Sequence, residues 1–120
     1  LDGYAYHTVE NAYQAAKSKD PICRLRLAGC SPGQAKRTGR LIKVRHNWDA
    51  IKVGIMQELL EQKFTEPTLR KKLLTIPGQI VEDNYWHDTF WGVCKCGKCP
   101  PGENQLGKLL VLVRYKEGNR

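Results

Sequence analysis

The sequence predicts an α+β domain that is mainly helical, with five or six helices around a small antiparallel sheet. Three observations carry this: apolar residues recur at helical spacing over most of the chain, helix-start signals of a capping residue followed by Pro recur, and β-prone runs are few and short. With 120 residues, 41% hydrophobic and 27% charged, the chain can fold around one core and is too apolar for a disordered tail. A single domain over residues 1–120 is therefore expected. The longest uncharged apolar run, Leu109 to Val113, falls far short of the ~20 residues of a helical membrane span, so no membrane partner is expected.

Asp2-Gly3 is a two-residue turn signal, with Tyr4 and Tyr6 alternating after it. Its first strand would precede Leu1, so the domain is expected to lack its N-terminal strand. Thr8 fits an N-cap, and Val9, Ala12, Tyr13 and Ala16 fall at i, i+3, i+4 and i+7, which predicts a helix from Val9 to Ser18. Asp20-Pro21 starts a second helix that Gly29 can end as a left-handed cap. Ser31-Pro32 starts a third, ended near Gly39. From Asn47, the residues Trp48, Ile51, Ile55, Leu59 and Phe64 predict a longer helix, and Thr65 with Pro67 opens another through Leu69, Leu73 and Leu74. These two are expected to supply most of the core. After Pro77-Gly78, Gln79 to Glu82 reads as a strand, followed by an aromatic loop in which Trp86 is expected to pack in the core. A Gly/Pro/Cys/Lys stretch without regular structure follows from Val93 to Gly102. Asn104 can cap a last helix carrying Leu106, Leu109, Leu110 and Val113; Val111-Leu112-Val113 also suits a strand, but four positions fit the helix.

The charge is unevenly placed. Twenty Lys and Arg against twelve Asp and Glu give +8, and the segment from Lys17 to Arg45 alone holds Lys17, Lys19, Arg24, Arg26, Lys36, Arg37, Arg40, Lys43 and Arg45 against Asp20. That concentration can form one basic face for phosphates or nucleic acid, or a solvated helical surface.

Three groups of residues can carry chemistry. Glu10, Gln14 and Lys17 share one face of the first helix at i, i+4 and i+7. A carboxylate there can activate water, and a desolvated Lys amine can act as a nucleophile. Glu10 near a helix start also simply complements the dipole. The stretch Asp83 to Gly92 packs Tyr85, Trp86, Phe90 and Trp91 around Asp83, His87 and Asp88, which fits either a folded-over loop or a stacking platform for a planar ring. Cys94, Cys96 and Cys99 form a C-x-C-x2-C set, three of the four ligands of a tetrahedral zinc site. Cys23, Cys30 or a His would have to supply the fourth; the other reading is a loop of free thiols. An odd cysteine count argues against a disulfide scaffold and predicts reduced thiols in the cytoplasm.

Taken in order, six segments resemble the NADAR or YbiA-like family. They are Tyr6 through Lys17, similar to the family's T-x-E-H-x-x-Q-A-x-K helix; Thr38-Gly39-Arg40; Asn47-Trp48-Asp49; Ile80-Val81-Glu82; His87 through Gly92, similar to N-D-x-[YF]-W-G; and Gly102 through Leu110. The chain departs from the pattern at Asn11, where the family often has His, and in the cysteine-rich stretch, where other members carry a short Gly-rich loop. The family's usual opening segment would precede Leu1.

The resemblance implies an N-glycosidase that cleaves the C–N bond between ribose phosphate or ADP-ribose and a base or amine. Its implied substrates are phosphoribosylated riboflavin-pathway intermediates or ADP-ribosylated guanine in DNA or RNA. It implies catalytic roles for Glu10, Lys17 and Asp88, and substrate contacts from Arg40, Trp48, Glu82, Trp91, Gly92 and Asn104. Glu10 would stabilise positive charge on the ribose, Asp88 would orient the ribose or act as the acid, and Lys17 offers a Schiff-base route. Arg40 would hold phosphate, Trp48 and Trp91 would stack on or wall in the base, and the start of the last helix could accept an anion. No cofactor and no metal ligand is assigned. The competing reading is a non-catalytic nucleic-acid or ADP-ribose binding module with a cysteine-rich zinc loop.

Overall fold

The computed structural model describes residues 5–119, so the hairpin expected at Asp2-Gly3 lies outside the described residues. The described residues form six helices and one two-stranded sheet, and the chain divides into two compact units, Leu1–Leu59 and Leu60–Arg120.

The first unit is built from short capped helices. Thr8, in extended backbone, begins α1 (Val9–Ala16) by accepting the Asn11 N–H at 3.1 Å. Asp20 caps α2 (Pro21–Ala28), and Ser31 with Gln34 forms a reciprocal capping box on α3 (Pro32–Gly39). Gly29 ends α2 in a right-handed conformation (φ −89°) instead of the expected left-handed one. Its N–H reaches Arg26 O and the next N–H reaches Leu27 O, so a tightened last turn satisfies those carbonyls and no reversal is needed. α1 packs against both α2 and α3. Ala15, Leu27 and Ala35 are fully buried at that junction, ringed by Tyr6, Cys23, Cys30 and Ile42. The alanines let the helix backbones approach closely.

Asn11, wholly buried, donates from Nδ2 to Leu27 O at 2.8 Å and Cys30 O at 2.7 Å. It therefore ties the end of α2 to α1 and satisfies carbonyls that burial would otherwise orphan. α4 (Trp48–Lys63) follows, with Trp48, Met56, Leu59 and Leu60 buried. The core differs from expectation: α1 contributes Ala12, Tyr13, Ala15 and Ala16, whereas α5 (Pro67–Thr75) contributes only Leu73, and Leu74 is exposed. Small residues on α1 carry little hydrophobic weight in a sequence reading, yet Ala12, Ala15 and Ala16 are all buried.

In the second unit α5 packs against α6 (Gln105–Gly118). The N-cap of α5 is Glu66, not Thr65; its carboxylate accepts the N–H groups of Thr68 and Leu69. One turn along, Arg70 joins the start of α5 to the end of α6: its Nε donates to Glu117 Oε2 at 3.0 Å and its guanidinium to Glu117 O at 2.7 Å. Glu117 is only 2% exposed, and this charged partner makes that burial tolerable.

The sheet corrects two expectations. Its strands are β1 (Asp83–Asn84) and β2 (Val93–Cys94), so the run Gln79 to Glu82 is not a strand and the cysteine stretch begins with one. The pairing is parallel, with Asp83 opposite Val93 and Asn84 opposite Cys94, where an antiparallel sheet was expected. Between the strands, a turn closed by the Asn84 side chain and a close approach at Gly92 bring the chain back in its original direction. Trp86, expected in the core, is 53% exposed. No helix among the described residues is long and apolar enough to cross a membrane.

Candidate functional site

α1 gathers the first group of predicted residues. Glu10 and Gln14 are joined by a hydrogen bond from Gln14 Nε2 to Glu10 Oε1 at 3.3 Å. Lys17, the C-cap residue, is half-buried with its Nζ 5.8 Å from the centre of the Tyr13 ring. Desolvation pulls its amine below the ordinary lysine value of 10.5; Glu10 partly opposes this, and the positive charges of Arg40 and Lys52 add to it. Arg40 is exposed at the end of α3. Trp48 is 7% exposed and tilts against Tyr13 with ring centres 5.2 Å apart, so it backs the α1 face as a wall.

Two acceptors in this unit, Gln14 Oε1 and Asn47 Oδ1, are buried without a hydrogen-bond partner among the described residues. Such groups are costly unless something donates to them. Gln14 stood on the face read from spacing, but its orphaned oxygen, the Asn47 side chain and Lys52 were not singled out from sequence, because nothing local marks a side chain as orphaned or as a charge neighbour.

The basic segment is only partly a surface. Arg24 is buried with Nε donating to Ser18 O at 2.8 Å, and Arg45 donates to Ala16 O. Lys19, Arg26, Arg37, Arg40 and Lys43 remain exposed.

The second unit holds the other predicted residues, and there most polar groups serve the backbone. Asp88 Oδ1 accepts from the N–H groups of Phe90 at 3.0 Å and Trp91 at 2.9 Å, while Asn84 bridges to Asp88 N and O. Trp91 is half-buried, edge-on to Phe90. Gly92 lies so close to the Glu82 carbonyl that a Cβ would collide with it, and that same carbonyl accepts the Val93 N–H at 2.8 Å. Glu82 thus contributes its backbone to the loop.

Asn104, left-handed at φ 53°, makes no side-chain cap to α6. Instead it accepts from Glu82 N at 2.9 Å and donates to Ile80 O at 2.8 Å. The expected anion site at the start of α6 is also taken: Gln105 and Leu106 donate their N–H groups to Phe90 O and Trp91 O. A groove of about 440 Å³ in this unit touches only Asn104 of the predicted residues, beside Ile80, Lys108, Val111 and Arg114.

Beside that loop the cysteines meet a fourth donor. His87 Nδ1 lies 3.2 Å from Cys99 Sγ and 3.7 Å from Cys94 Sγ, and Cys96 Sγ lies 3.4 Å from Cys99 Sγ. Cys96 is held down to about 6, first by the Lys98 N–H and then by the neighbouring thiols, while its contact with Cys96 pushes Cys99 up to about 12. Cys23 and Cys30, two of the expected sources of a fourth ligand, instead pack around the first-unit core.

Comparison with known proteins matches residues 1–116 to the NADAR domain. An N-glycosidase of Nostoc punctiforme, Npun_R5314, is 40% identical over 119 residues, covering 93% of this chain and 74% of that protein. N-glycosidase YbiA of Escherichia coli is 34% identical over 119 residues, covering 95% and 72%. The chloroplastic riboflavin biosynthesis protein PYRR of Zea mays is 34% identical over 128 residues, and the match spans 20% of that longer protein. The NMR structure of E. coli YbiA superposes with a TM-score of 0.83 at 35% identity, covering 99% of this chain and 71% of that one.

Proposed function

The chain belongs to the NADAR domain family, and from that premise we propose that it is an N-glycosidase acting on a ribose–base or ribose–amine bond through the α1 face. The observation that supports this reading best is the half-buried Lys17 amine, lowered by desolvation, on the same face as Glu10. As the C–N bond breaks, the base leaves with the electron pair and takes up a proton, and positive charge builds on the ribose. The Glu10 carboxylate stabilises that charge. Arg40 presents a planar fork for phosphate oxygens.

Water and Lys17 can each complete the reaction. In the first case a water oxygen bonds to the anomeric carbon and its proton passes to Glu10. In the second, the neutral Lys17 amine takes that place, the ring opens to a Schiff base, and hydrolysis then releases the sugar aldehyde and the free amine. The lowered amine favours the second route, because more of it is neutral at a given pH. Asp88, Asn104, Gly92 and the Glu82 backbone serve as positioning residues for the loop that carries Trp91. The substrate class is a base joined to ribose phosphate or ADP-ribose, including ADP-ribosylated guanine in a nucleic acid strand.

The test is turnover of ADP-ribosylated guanine DNA and of a phosphoribosylaminopyrimidine, side by side, with borohydride added during turnover. Release of free base that is lost in Glu10→Gln, with an adduct trapped on Lys17 and absent from Lys17→Ala, is expected. Binding of either substrate without turnover would favour the non-catalytic module. Turnover indifferent to both substitutions would remove this face from the reaction.

A further inference from the structure

The cysteine loop carries chemistry that the glycosidase reading leaves unused. We propose that His87, Cys94, Cys96 and Cys99 bind one zinc ion in a closed, structural Cys3His site.

The donor set is the one tetrahedral zinc takes, three thiolates and one imidazole nitrogen. The four ligand atoms lie within 4.8 Å of one another. Zinc bonds of about 2.3 Å to sulfur and 2.0 Å to nitrogen require ligand atoms roughly 3.5–3.8 Å apart in a tetrahedron. The observed separations of 3.2, 3.4 and 3.7 Å fall near that range. Small side-chain adjustments bring all four onto one ion.

The backbone delivers each ligand by a separate device. Pairing with β1 places Cys94 opposite Asn84. The turn that Asn84 closes onto Asp88 holds His87 at φ 69°, a left-handed conformation uncommon for a residue with a side chain. A strained backbone held by its surroundings points to a role for that side chain. Gly97, at φ 83°, turns Cys96 back towards Cys99, and the Lys98 N–H points at Cys96 Sγ at 3.4 Å. An N–H directed at a thiolate sulfur is outer-shell support for a metal ligand.

A redox pair made of Cys96 and Cys99 is the rival account. Their sulfurs are unbonded at 3.4 Å, and such a pair has no use for His87 and Cys94 brought to the same point. Four protein ligands leave no open position, which makes the site structural and not catalytic. Its effect is to clasp residues 87–99 together, steadying the loop that presents Trp91. Metal content reads this site whatever the outcome for glycosidase activity.

The experiment uses the whole chain, reduced, loaded with zinc alone and dialysed, with metal measured by mass spectrometry and cobalt as the spectroscopic probe. One zinc per chain is expected, and cobalt should show tetrahedral d–d bands with thiolate charge transfer. Cys96→Ser and Cys99→Ser should each weaken zinc binding by more than about 100-fold, while Cys23→Ser and Cys30→Ser leave it unchanged. His87→Cys should keep a tetrahedral cobalt spectrum with stronger thiolate charge transfer, which remains readable if His87→Ala does not fold. Reduced, folded protein that retains no stoichiometric zinc would overturn the proposal. So would cobalt binding that is indifferent to Cys96→Ser.

Discussion

The Glu10–Lys17 face of α1 in the first unit and the loop between α5 and α6 in the second use their polar residues in opposite ways. On α1, helix caps and close packing hold the backbone, so Glu10 and Lys17 keep their charged groups on one face, with the buried Gln14 bonded to Glu10. In the second, regular structure is sparse between α5 and α6, and Asn84, Asp88 and Asn104 are committed to backbone groups of the loop. A helix satisfies its own N–H and C=O groups and leaves side chains to chemistry, whereas a loop must borrow side chains to satisfy its backbone. Polar side chains are therefore spared for chemistry on that helix face and spent as scaffolding in the loop.

The strongest way to break this contrast is activity. Lys17→Ala should reduce base release on the order of 10²–10⁴-fold with little change in thermal unfolding. Equal losses of activity and stability would make Lys17 scaffold as well. Next comes Gly92→Ala, which drives a Cβ into the Glu82 carbonyl and should destabilise the protein by about 3 kcal/mol or more in denaturant unfolding. A smaller effect would mean the loop gives way easily. Asn104→Ala leaves Ile80 O and Glu82 N without their side-chain partner and should cost about 2 kcal/mol, whereas Thr8→Ala, losing one helix cap, should cost about 1 kcal/mol.

The subtlest expected effect is on pH. Folding lowers the Lys17 amine, so the unfolded chain holds this proton to higher pH than the folded one. The group therefore opposes folding below its folded value, and the opposition disappears as pH rises from that value to the ordinary 10.5. Glu10 works against the lowering, so Glu10→Gln should move the Lys17 titration to still lower pH, and removal of Lys52 should move it up. NMR titration of the Lys17 side chain reads both shifts; a Lys17 titration unmoved by Glu10→Gln would show that the two groups do not share the face.

Much of the first unit is written locally. Thr8, Asp20-Pro21 and Ser31-Pro32 each mark a helix start that the structure keeps, because a cap and the turn it closes lie within a few residues. The loop was harder to read. Asp83 to Gly92 stood out by its aromatics, yet which of them is buried depends on partners far along the chain, and Trp86 ends exposed. Asn104 looked like a cap because its position is right, but its side chain reaches back 22 and 24 residues to Glu82 and Ile80.

From sequence alone come the mainly helical α+β class, the capped helices and the face shared by Glu10, Gln14 and Lys17, read from local caps and spacing along a 3.6-residue turn, and the family resemblance, read from six motif segments in order. Tertiary structure alone decides that the strands run parallel, that Arg24 and Arg45 serve the fold, that the Lys17 amine is desolvated, and that His87 completes the cysteine set. Each of these depends on contacts between residues distant in the chain, where burial and neighbouring charge, not residue type, set what a side chain does.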